Sequence, residues 1–235
     1  MVAHSYKALI LDLLSQGHHE AEVFVQELSE SERNAVGTSE LWSAKDHFVH
    51  RTFWHRDLIH QIRSFQSHQE MPPREKSAEE LNEMVFEDQR YRPWSEVYTE
   101  SEQTYAELIA LYEELSEEDL TNPERFASIT GGSPLYRDFL NGCYEHDQEH
   151  LVQYYADRND LLRAIQIRER CAERVLQSDL PEWSKGDFLY NLACFYAKLN
   201  PYTKANALLQ EAIALNPNLE EHAKSDPDLA ALRKQ

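Results

Sequence analysis

The 235-residue chain carries 42 acids against 23 bases, a formal charge of −19, with 41% hydrophobic residues and only six glycines. Such a field repels phosphate backbones and anionic lipid surfaces, which argues against nucleic acid and membrane as partners, and no run of about 18 apolar residues exists to span a bilayer. Cys143, Cys171 and Cys194 are odd in number and widely spaced, which suits reduced thiols better than a disulfide frame, and the first residues lack a signal-peptide pattern; both predict a cytoplasmic protein.

Apolar residues recur at helical spacing almost throughout, so the expected class is all-α. The first helix is predicted over about Ala3 to Leu28, with Leu9, Leu13, Leu14, Val23 and Leu28 on its buried side and Gly17 as a weak point. Ser29 to Glu40 reads as a connection. Ser43-Ala-Lys-Asp46 is a capping-box variant that opens a second helix, running through Phe48, Phe53, Trp54, Leu58 and Ile62 to about Phe65. Met71-Pro-Pro-Arg74 breaks the pattern and begins a long crossover. Within it, Ser77-Ala-Glu-Glu80 caps a short helix to about Arg90, and Pro93 restarts the chain at Trp94 for a third main helix through Leu108 and Leu115. Asn122-Pro123 and Gly131-Gly-Ser-Pro134 mark a loop, followed by a fourth helix from about Leu135 to Tyr155. Four long helices with one long crossover between the second and third make a four-helix bundle over residues 1–158. That bundle holds 31 acids and 13 bases, whereas residues 159–235 are nearly neutral.

His146 and His150 stand one turn apart on the fourth helix and so present two imidazoles on one face. With 11 histidines in the chain, random placement gives roughly half of one such pair, so a third ligand from another helix is required. The second helix offers His47, His50, His55 and His60.

Trp42, Asp46 and His50 follow one another at intervals of four, within Leu41-Trp-Ser-Ala-Lys-Asp-His-Phe-Val-His50. This run, with His146-Asp-Gln-Glu-His-Leu-Val-Gln153 on the fourth helix, resembles the signatures of the DinB-like superfamily. Leu81-Asn-Glu83 and Trp94-Ser-Glu-Val97 resemble the middle of its ClbS/DfsB-type members. The resemblance implies a bundle in which His50, His146 and His150 bind a divalent metal such as zinc or nickel, with coordination positions left open for water or substrate. It also implies chemistry on a small molecule, of a hydrolase or of a thiol-transfer and detoxification type. Leu151-Val152 stands where an arginine-glycine pair is common in the superfamily, which weakens the thiol-transfer reading. The other reading of the same histidines is polar core or surface residues.

Three further residues belong to the expected pocket surroundings. Asp46 is placed either to orient a ligand histidine from behind or to cap its helix, Trp54 either to wall a pocket or to fill core, and Asn82 either to face the cavity or solvent. Bound metal would compete with protons through the ordinary histidine range. With no phosphate-binding glycine loop, no nucleotide cofactor is expected.

Asp160 to Gln177 is a further predicted helix. Leu189 to Pro217 then resembles one tetratricopeptide unit, with Leu192, Ala193, Tyr196, Ala205, Leu209, Ala212 and Pro217 at the repeat's spacing. This tail, 159–235, is expected to bind a protein or peptide, to pack as a cap, or to form a homodimer contact. Against the metal-dependent reading stands a non-enzymatic helical scaffold that binds proteins without metal.

Overall fold

The computed structural model of the chain describes residues 5–70, 72 and 74–234; the expected start at Ala3 and the breaks at Met71 and Pro73 lie outside them. The fold is all-α, 76% helical with 12 α-helices and no strand among the described residues. None of these helices is long and apolar enough to cross a membrane. Two compact units emerge, Met1–Ala164 and Ile165–Gln235.

In the first unit the four long elements are α1 (Tyr6–Glu27), α3 (Ala44–Gln66), α5 (Trp94–Glu114) and a fourth built in two pieces, a π-helical stretch Asp138–Glu145 running into α8 (His146–Ala156). Serine boxes set the starts. Ser43 with Asp46 opens α3, and Ser77 with Glu80 opens the crossover helix α4 (Ala78–Gln89), each serine accepting from the backbone N–H three residues on while the acid accepts from the serine's own N–H. The same chemistry builds two helices inside segments expected to be irregular or uninterrupted. Ser29 with Glu32 caps α2 (Glu30–Arg33), and Ser116 with Asp119 caps α6 (Glu117–Thr121). Both are too short for hydrophobic periodicity to show, so only the boxes betray them. A single turn, α7 (Ala127–Thr130), ends at Gly131, whose φ of 65° supplies the left-handed conformation of a C-cap.

Ile10, Leu14 and Phe24 from α1 meet Phe48, Leu108, Leu111, Tyr112, Phe139 and Tyr144 in the core. Tyr112 and Phe139 cross edge to face with centroids 4.6 Å apart. Gly17 is a point of close approach rather than a weakness: a β-carbon there would lie 3.0 Å from the Tyr144 ring, and its carbonyl accepts from Gln148 Nε2 at 3.2 Å.

The fourth long element departs most from expectation. The backbone N–H of His146 reaches the carbonyl of Asn141, five residues back, where an α-helix would use the residue four back. Wider winding over these eight residues rotates the helix face relative to an uninterrupted α-helix, so it bears on which way His146, Asp147 and His150 point. Gly142, exposed and inside this stretch, is its one sequence trace.

The second unit contains most of α9 (Leu161–Leu176), then α10 (Glu182–Leu199), α11 (Tyr202–Leu215), α12 (Leu219–Ser225) and short 3₁₀ turns. Ala193, Ala205 and Ala212 are fully buried between α10 and α11, and Asn200 makes the turn with φ 74°. Gly186 brings the helices closest, since a β-carbon there would lie 2.9 Å from the Ala212 carbonyl oxygen. Asn216 Nδ2 donates to Asp187 Oδ1 at 2.8 Å in the same contact. All three cysteines are buried.

Candidate metal centre

The N-terminal half of α3 buries residues that a hydrophobic core does not want. Lys45, Asp46, His47, His50, Arg51, Thr52 and His55 are each at most 6% exposed. Ionisable groups are rarely buried without a partner or a use, and here the partners come from α8.

Three imidazoles converge at the seam. His146 Nε2 lies 3.1 Å from His50 Nε2 and 3.1 Å from His150 Nε2, and the three residues present ligand atoms within 4.8 Å of one another. Nitrogens each about 2.0–2.1 Å from one ion lie about 3.0–3.4 Å apart, so the cluster fits a shared cation. It fits hydrogen bonding poorly, because a neutral His146 carries one proton and cannot satisfy both neighbours through a single Nε2.

Electrostatics keeps these rings neutral. Burial, and then repulsion from His146, pushes His50 down to about 3, and burial reinforced by Arg158 brings His47 to about 3 as well. Burial lowers His146 despite the Asp147 carboxylate beside it, and burial with the three other imidazoles lowers His150 further. Protons therefore compete for these nitrogens below the ordinary histidine range.

The same shifts fix a stability prediction for the metal-free protein. Histidines at about 3 in the fold and 6.5 when unfolded contribute stability that is fully present above pH 6.5 and is lost as pH falls toward 3. For His47 and His50 the loss is on the order of 2 kcal/mol each by pH 5. Urea unfolding of chelator-treated protein at pH 7 and pH 5 measures it; equal stabilities at the two values would contradict it.

Around the triad, His47 Nδ1 meets His150 Nδ1 at 3.0 Å. When His150 offers its Nε2 lone pair inward, its proton sits on Nδ1 and donates to His47, which fixes the tautomer and ring direction. Trp42 covers the cluster, stacked at 7° over His150 with its centroid 5.2 Å from His50. Beneath it, Asp147 Oδ2 accepts from Arg51 Nη2 at 2.7 Å, and His55 Nε2 lies 3.1 Å from Asp147 Oδ1 but off the line of a hydrogen bond. Burial alone would raise the Asp147 carboxyl; Arg51, then His55, outweigh it and hold the group far below the usual range.

Asp46 turns to the cap of α3, where Oδ2 accepts from Ser43 N at 2.8 Å and Ser43 Oγ at 2.6 Å. Trp54 stands 6.2 Å from His50 between centroids, and its indole N–H donates to Asn82 Oδ1 at 3.0 Å. Asn82 thus braces Trp54. Arg51 and Asp147 went unnoticed in the sequence, although Asp147 sits inside the His146–His150 run; no spacing rule links it to Arg51.

A cleft of about 1040 Å³ opens beside the cluster, lined by His146, Trp54, Phe53 and Leu58 together with residues of the π-helical stretch. A family model described as the DinB superfamily matches residues 13–154, which include all three converging histidines. No curated protein and no solved structure matches the chain.

Proposed function

The chain belongs to the DinB superfamily, and on that premise we propose that His50, His146 and His150 hold one divalent metal, zinc or nickel, for chemistry on a small molecule bound in the adjoining cleft. Metal binding is frequent in this superfamily, and the convergence of three neutral imidazoles, His50 and His150 buried and His146 half-buried, carries the reading here. Held by three neutral nitrogens, a divalent ion supplies Lewis acidity and lowers the pKa of bound water, as hydrolysis or thiol activation requires.

The chain's own residues prepare the place. His47 accepts the outer proton of His150 and holds that ring, Trp42 keeps solvent from one side, and the Arg51–Asp147 pair anchors α8 to α3 beneath the ligands. His146 alone of the triad lines the cleft, so a substrate would approach from its side. Within the superfamily we assign the chain to the ClbS/DfsB type, on the Trp42-Asp46-His50 spacing and the Leu81 and Trp94 segments. The close α10–α11 pair supports a tetratricopeptide-like reading of the tail as a protein or peptide module.

Elemental analysis of untagged protein, loaded with zinc or nickel and dialysed, tests the proposal. About one equivalent per chain is expected. Protein that stays metal-free after loading leaves the non-enzymatic scaffold in its place.

A further inference from the structure

The walls of the cleft differ in chemistry. On the α3 and α4 side stand Phe53, Trp54, Leu58 and Leu81; on the π-helix and α8 side stand Asp138, Glu145 and Glu149, with His146 among them. The cleft also holds Asp57 and Arg74, and these two are joined: Arg74 Nη2 donates to Asp57 Oδ2 at 2.5 Å, and its guanidinium lies 5.2 Å from the Trp54 ring centre. Among the described residues that line the cleft, the Arg74 guanidinium is thus committed to a carboxylate, while Asp138 and Glu149 stand on the opposite wall. Burial pushes the Asp138 carboxyl up, so a cation seated beside it would in turn be favoured.

Resting on the reading of this cleft as the substrate cavity, we infer that it takes a small molecule carrying an ammonium group on an aromatic or apolar body. The body lies against Phe53, Trp54 and Leu58, the two aromatic rings among them also attracting a cation, and the ammonium faces Asp138 and Glu149. An anionic thiol or a phosphorylated substrate would enter against the Asp138 and Glu149 carboxylates, so within the proposed chemistry the cleft favours hydrolysis of an amine-bearing molecule over transfer from an anionic thiol.

The test uses chelator-treated, full-length protein, so that metal takes no part, and three probes of one shape: 2-phenylethylammonium, 2-phenylethanol and 3-phenylpropionate. Binding is followed by ligand-observed magnetic resonance titration. The ammonium is expected to bind about tenfold more tightly than the alcohol, with the carboxylate weakest. In the Asp138→Asn, Glu149→Gln double variant the ammonium should fall to within about twofold of the alcohol. Should that variant not fold, the exposed Glu149→Gln change alone should cost about threefold. An ammonium that binds no better than the alcohol, or a preference that survives the substitutions, overturns the inference. Metal content is measured separately on zinc-loaded, dialysed samples of the same proteins: stoichiometric zinc without the ammonium preference sinks only the substrate class, and the preference without zinc sinks only the metal reading.

Discussion

Replacing His150 by alanine is expected to reduce metal affinity by about 100-fold or more and to leave no stoichiometric metal after dialysis, with helix content unchanged. The apolar core around Phe48, Leu108 and Phe139 carries the fold, whereas His150 offers one nitrogen to the shared point and receives support from His47 on its other side. His50→Ala and His146→Ala should behave alike. His47→Ala should fall between, at about 10- to 100-fold, because it removes the orienting partner of a ligand and not the ligand. His68→Ala, in an exposed turn after α3, should change nothing. Inductively coupled plasma analysis of the untagged variants decides it. Full metal in all three triad variants would contradict the assignment.

Asp147→Asn is the second large expected effect. Asp147 and Arg51 are both buried, 7% and 3% exposed, and Arg51 Nε and Nη1 have no hydrogen-bond partner among the described residues, the guanidinium otherwise lying 4.8 Å from the Phe48 ring centre. Removing the carboxylate's charge strands a guanidinium in the core, which costs on the order of 3–5 kcal/mol. The Arg51→Met, Asp147→Leu double variant should recover most of that loss, since replacing both charges by apolar groups removes the stranded ion. Urea unfolding measures both. A single-variant loss below about 1 kcal/mol would show that the pair is solvated and not an anchor between α3 and α8.

The sequence carried the bundle and the His146–His150 pair because each depends on local rules, whereas His50 stood out from His47, His55 and His60 only through the family resemblance. Ser43 with Asp46 and Ser77 with Glu80 are local signals, and His146 with His150 lie one turn apart, so pattern alone locates them. The crossover followed from the 71–74 break and Pro93. What stayed hidden depends on distance or on backbone register. The π-helical turn before His146 has no side-chain signature beyond Gly142, yet it bears on the direction of the next two turns. Arg51 and Asp147 pair across 96 positions, and Gly17 meets Tyr144 across still more. Asp46 shows how one motif can carry two readings: of ligand orientation and helix capping, its carboxylate takes the cap.

The most direct measurement is X-ray absorption at the metal edge of the untagged protein loaded with zinc or nickel at neutral pH. The expected spectrum shows about three imidazole nitrogens near 2.0–2.1 Å, completed by oxygen, with one imidazole lost in His150→Ala. A shell of oxygen alone, sulfur from a cysteine, or a spectrum indifferent to His150 would contradict a metal centre built from His50, His146 and His150.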